Sequence, residues 1–67
     1  MNICVNDHPL FIEKGATMLS VLKALKREND KQMAVALNNK VIPKTVWETT
    51  FLQEGDKIVI IKAAYGG

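Results

Sequence analysis

"KIVII", Lys57-Ile58-Val59-Ile60-Ile61, is the strongest apolar run in the chain. The turn pair Gly55-Asp56 opens it, and its β-branched residues favour a pleated, buried backbone. An unbroken apolar run of this length predicts a strand at the centre of a sheet, with neighbours on both sides. Side chains alternate along a strand. If Ile58 and Ile60 face a covering layer, Val59 and Ile61 face the other way.

Working outward from this strand, "MAVAL" (33–37) reads as another strand, and Asn38-Asn39 as a tight turn that tolerates positive φ. "KVI" (40–42) pairs briefly after the turn. Pro43 cannot donate to a ladder, so that piece is expected to be short and at an edge. "KTVWETTFLQ" (44–53) reads as irregular, with Trp47, Phe51 and Leu52 plugging one end of the core. At the start of the chain, "MNICVN" alternates Ile3 and Val5 against Asn2, Cys4 and Asn6, which is the period of a strand. "NDHP" supplies turn chemistry, and "LFIE" (10–13) resumes as a second strand, giving a hairpin.

One helix is legible between these strands. Gly15 breaks the second strand, and the Thr17 hydroxyl can cap a helix by accepting a backbone N–H. Met18, Val21, Leu22 and Leu25 follow at i, i+3, i+4 and i+7, forming one apolar stripe. The pattern predicts a helix over about residues 17–28, with Lys26 and Arg27 in its last turn.

The order is thus strand, strand, helix, strand, short strand, strand. One amphipathic helix must bury its stripe on one face of a mixed sheet, giving a two-layer α+β domain. The first and last strands then lie side by side in the middle, which is the β-grasp, or ubiquitin-like, layout. No second helix is available for the opposite face. An apolar patch is therefore predicted around Val59 and Ile61, either as a partner surface or covered by long neighbouring side chains.

Composition narrows the function classes. The chain has 67 residues, 48% of them hydrophobic, which suits one small globular domain. A single cysteine, Cys4, excludes an internal disulfide framework and favours a reducing compartment, the cytoplasm. The start of the chain lacks a basic segment and a continuous apolar stretch, so neither a secretory signal nor a membrane span is expected. A net charge of +2 does not argue for nucleic acid. The free protein is expected to be a monomer.

The chain closes on "KAAYGG" (62–67), and two of its four glycines are the last two residues. Residues 1–63 read as the domain and 64–67 as a flexible tail. Glycine maximises chain freedom and lacks a Cβ, so it holds an end in place poorly. It suits a chain end that threads a narrow cleft of another protein. The group delivered would be the α-carboxylate of Gly67, an anion at neutral pH and a poor electrophile. Nothing in this chain can activate it, so an ATP-consuming partner would have to form an acyl-adenylate, from which a sulfur nucleophile could then displace AMP to leave a thiocarboxylate.

Three stretches carry a resemblance: "VALNNKVIP" (35–43), "LQEGDKI" (52–58) and the terminal Gly66-Gly67. "KGATMLSVLKAL" (14–25) fits more loosely. Over its whole length the sequence resembles the small sulfur carriers of thiamin biosynthesis, the ThiS type. The resemblance implies a β-grasp fold and a cycle with two partners. An E1-like adenylyltransferase would use ATP to adenylate the terminal glycine, and sulfur from a cysteine desulfurase system would convert it to a thiocarboxylate. Thiazole synthase would then take the sulfur. It assigns Gly67 as the sulfur-bearing residue and Gly66 as its necessary neighbour. Tyr65 departs from the small or aliphatic residue expected before the glycines, and Asn6-Asp7 stands where Asn-Gly is common. The related carriers of molybdopterin synthesis are the closest alternative. A non-catalytic β-grasp module that binds protein or RNA through its sheet is the alternative of a different class.

Other residues with chemical potential have plainer readings. Cys4 sits out of phase with Ile3 and Val5, with nothing nearby in sequence to depress its pKa. His8 has no second metal-binding residue at ligand spacing. Trp47 fits the core, and Lys23, Lys26 and Arg27 fit a solvated helix face. No phosphate loop, nucleophile–base pair or bound cofactor is implied, so the chain is expected to be a carrier and not an enzyme.

Overall fold

A computed structural model describes residues 1–27 and 33–62 of the chain. Its elements are β1 (Asn2–Val5), β2 (His8–Phe11), α1 (Met18–Ala24), β3 (Met33–Leu37), β4 (Lys40–Val41), a 3-10 helix (Lys44–Thr49) and β5 (Lys57–Lys62). They form one five-stranded sheet in the order β2-β1-β5-β3-β4. The KIVII strand is central, as its composition predicts. It runs parallel to β1 through Cys4↔Lys57 and Val5↔Ile58. On its other side it runs antiparallel to β3, from Met33↔Lys62 to Leu37↔Ile58. With α1 on one face, this is the two-layer α+β arrangement of the ubiquitin-like β-grasp.

Two hairpins flank β5, and both turn on two residues. Asn6 and Asp7 have φ of 51° and 66°, and Asn38 and Asn39 have 50° and 72°. Positive φ at both central positions matches the right-handed twist of the flanking strands, and Asn and Asp tolerate it best after glycine. The first turn joins Val5 to its partner His8, so β2 spans His8–Phe11 and not the "LFIE" expected from sequence. Pro9 therefore lies inside the outer strand. It stands opposite Cys4, at a position whose N–H would point away from β1, so its missing donor costs the ladder nothing.

The helix is shorter than its apolar stripe predicts. It begins as expected: Thr17 accepts the Ser20 N–H at 3.2 Å, and Ser20 Oγ accepts the Thr17 N–H at 2.9 Å, a reciprocal capping box. It ends at Ala24, with Leu25 as its cap. Lys26 then adopts φ +59° and donates to the Lys23 carbonyl, while Arg27 donates to the Leu22 carbonyl. This is a Schellman closure made with lysine where glycine is usual. Lys26 and Arg27 thus lie beyond the helix, and Lys23 is the basic residue of its last turn.

The core joins the stripe of α1 (Met18, Val21, Leu22) to Ile3, Val5, Val35 and Ile58 of the sheet, with Trp47 and Leu52 closing the end. Trp47 and Leu52 plug the core as expected, but Phe51 does not and is 65% exposed. Phe51 forms an isolated bridge with Thr17. Extended backbone sends neighbouring side chains to opposite sides, so only one of Phe51 and Leu52 can point inward. The "KTVWET" stretch, expected to be irregular, is a 3-10 helix that carries Trp47 under the sheet end. There the indole N–H donates to the Ile42 carbonyl at 3.0 Å, satisfying its one polar atom.

Candidate functional site

β5 is the last described element before the terminal residues, so the contacts that hold its end bear on the site. The ladder with β1 proceeds through Cys4 N–H to the Asp56 carbonyl at 3.0 Å and Asn6 N–H to the Ile58 carbonyl at 2.9 Å. The next rung of a parallel ladder would pair the Ile60 N–H with an acceptor on residue 6. Residue 6 is already in the turn, and its side chain serves instead: Asn6 Oδ1 accepts the Ile60 N–H at 2.8 Å. The second hairpin does the same at the other end of the strand. Asn38 Oδ1 accepts the Lys57 N–H at 2.9 Å, while its Nδ2 donates to Asp56 at 3.1 Å. Two turn asparagines thus grip the central strand, one at each end.

The face of the sheet away from α1 is open among the described residues. Ile58 is fully buried and Ile60 packs against the core, whereas Val59 is half-buried and Ile61 is 54% exposed. Strand register adds residues that the sequence analysis did not single out. Phe11 lies opposite Asn2 and is 73% exposed; Val41 lies opposite Ala36, which pairs with Val59, and is 66% exposed. The signal for Phe11 was available, since it follows inward-facing Leu10, but β2 placed at 10–13 hid its pairing. Half-buried Cys4 shares this face between Pro9 and Lys57.

Of the residues singled out from sequence, Val59 and Ile61 therefore share the open face near the end of β5. Tyr65, Gly66 and Gly67, together with the boundary of the tail at 63–64, lie outside the described residues. His8 is exposed at the start of β2, and Lys23, Lys26 and Arg27 are exposed around the end of α1. Among the described residues no group of His, Cys, Asp or Glu is placed to hold a metal ion, and no helix is long and apolar enough to cross a membrane.

Comparison with known proteins bears on the chain as a whole. Residues 3–67 match the ThiS family. The chain is similar to the sulfur carrier protein ThiS of Escherichia coli, 28% identical over the full length of both. It is also similar to the uncharacterized protein ycf40 of Pyropia yezoensis, 30% identical over all of this chain and 93% of that one. Among solved structures, the crystal structure of the thiamine biosynthesis protein ThiS of Geobacter metallireducens superposes with a TM-score of 0.85. It is 26% identical, with both chains covered in full. A solution structure of a thiamine biosynthesis protein from the same organism superposes at 0.77, covering all of this chain and 88% of that one. With the family match running from β1 to the final glycine, the chain belongs to the ThiS family.

Proposed function

We propose that this protein is a sulfur carrier of thiamin biosynthesis whose working group is the α-carboxylate of Gly67. One observation carries the reading: the family match extends through Gly66-Gly67, beyond β5, which ends at Lys62. The β-grasp body then serves as a handle, and residues 63–67 are the part presented to other proteins.

The chemistry follows from the carboxylate. At neutral pH it is an anion that resists nucleophiles. Its oxygen attacks the α-phosphorus of ATP in the active site of an E1-like adenylyltransferase, expelling pyrophosphate and leaving a mixed anhydride. A sulfide-equivalent nucleophile, supplied by a cysteine desulfurase system, adds to the carbonyl carbon. AMP leaves with the bonding pair, and a C-terminal thiocarboxylate remains as the sulfur source for thiazole synthase. The carrier supplies no catalytic side chain, and ATP is consumed by the partner. Glycine at both final positions lets the end pass where a Cβ would collide. The cytoplasm, which holds ATP and keeps thiols reduced, is the compartment for this cycle.

The open face of the sheet supports docking. Val59 and Ile61, on the strand that leads to the terminus, together with Phe11 of β2 and Val41 of β4 on the same face, offer apolar area to a partner. Incubation with ATP, a sulfur source and the activating enzyme, followed by intact-mass measurement, tests the reading. The expected product is heavier by one sulfur in place of one oxygen, with the change confined to the C-terminal peptide. An unchanged mass, with a control carrier converted in parallel, would refute it.

A further inference from the structure

We propose that Asn6 is a positioning residue for the reaction at the terminus: its side-chain oxygen fixes the heading of the end of β5, Ile60–Lys62, from which the last five residues continue. The proposal rests on the reading of Gly67 as the working group.

Asn6 Oδ1 accepts from Ile60, two residues before β5 ends at Lys62. On the β1 side this is the last rung the described residues supply, because β1 ends at Val5 and the chain turns away through Asn6 and Asp7. Beyond Ile60, β5 pairs with β3 alone, through Ala34↔Ile61 and Met33↔Lys62. A strand held on both sides has a fixed plane and heading, whereas one held on a single side can twist about its remaining ladder. Residues 61–67 span at most about 25 Å. The heading of β5 at Ile60 therefore sets where the last residues start, and so the volume that the terminal carboxylate can reach. Directing a short chain in advance raises the fraction of encounters that seat its end in a cleft.

Asn38 provides the control. It makes the same kind of bond to the same strand, at Lys57, the end remote from the terminus. It also sits in the same kind of turn, at φ 50° beside 51° for Asn6. Loss of either amide weakens the sheet, but only the Asn6 bond acts at the end of β5 nearer the terminus.

The test uses the full chain in Asn6→Gly, Asn6→Asp and Asn38→Gly forms. Glycine keeps the left-handed turn and removes the acceptor, and aspartate restores an acceptor oxygen. ATP–pyrophosphate exchange with the activating adenylyltransferase gives KM and kcat for the carrier, and amide hydrogen exchange gives the protection of Ile60. The expected result for Asn6→Gly is loss of Ile60 protection and a KM raised about 3- to 10-fold, the scale of one net hydrogen bond, with kcat unchanged. Asn6→Asp should restore both, and Asn38→Gly should lose stability without a change in KM. An unchanged KM in Asn6→Gly, or an equal rise in Asn38→Gly, overturns the inference while leaving the carrier function intact. No exchange with the unaltered chain overturns the carrier function, and the inference with it.

Discussion

The backbone N–H of Arg27 donates to the carbonyl of Leu22 at 2.8 Å, and this bond ends the helix. It forces Lys26 between them to φ +59°, a conformation in which an L side chain crowds the following carbonyl. Lys26→Gly removes that crowding but frees the unfolded chain, which offsets part of the gain. The expected net effect is a stabilisation of roughly 0.5–1 kcal/mol. Thermal denaturation should show a rise of a few degrees, about 4–8 °C per kcal/mol for a domain of this size. A lowered midpoint would mean that the Lys26 side chain contributes more than its backbone costs.

The opposite end of the helix should respond with the opposite sign. Thr17 and Ser20 satisfy each other's backbone N–H groups across the first turn. Thr17→Ala leaves the Ser20 N–H without its acceptor and should cost about 1 kcal/mol by chemical denaturation. Ser20→Ala removes the reciprocal bond and should cost a similar amount, with less than additive loss in the double variant because the two bonds form one unit.

These two helix ends show what sequence could and could not disclose. The start was legible because Thr17 is a chemical signal in its own right. The end was not, since the glycine that normally marks such a closure is replaced by Lys26 and the apolar stripe continues to Leu25. Both asparagine turns were legible for the same reason as Thr17. Their grip on β5 was not, because Asn6 and Ile60 meet only once the first and last strands have paired. Phe51 and Leu52 are equally apolar neighbours, and only the bridge to Thr17 decides which one enters the core. The candidate site divides in the same way. Gly66 and Gly67 were read from composition and position, while Phe11 and Val41 joined Val59 and Ile61 through strand register.

Leu22 is fully buried at the centre of the stripe, between the helix and the sheet. Leu22→Ala should cost about 2–5 kcal/mol through lost contacts and the cavity left behind. A 67-residue domain holds only a few kcal/mol to roughly 10 kcal/mol in total, so the upper part of that range leaves a partly unfolded protein at room temperature. Circular dichroism during urea titration measures it. A cost near zero would show that the helix packs elsewhere.

Ile61 and Phe11 are large, exposed and on the face that α1 leaves open. Changing either to Asp puts a charge into solvent in the free protein, so the denaturation midpoint should move little. If this face docks on the activating enzyme, the same charge becomes buried on binding without a partner, and affinity should fall by at least about tenfold. Calorimetric titration against the adenylyltransferase separates the two effects. Affinity equal to that of the unaltered chain, with the fold intact, would show that the open face is not used in that complex.

The last prediction separates the handle from the working end. Among the described residues the core cluster extends along β5 only as far as Ile60, and pairing with β3 extends to Met33↔Lys62. Deleting Gly67, or changing Gly66→Trp, alters neither group of contacts, so the thermal midpoint of the free protein should stay the same. Adenylation should fail in both for different reasons. The deletion moves the carboxylate back by one residue, about 3.3–3.6 Å, out of reach of the ATP phosphorus it must attack. The tryptophan keeps the length but puts a bulky side chain where the cleft has to close around the backbone. Pyrophosphate exchange reads the activity, and binding measured in parallel shows whether the body still docks. Adenylation of the truncated chain at the normal rate would sink the assignment of Gly67, because the carboxylate attacked would then belong to another position.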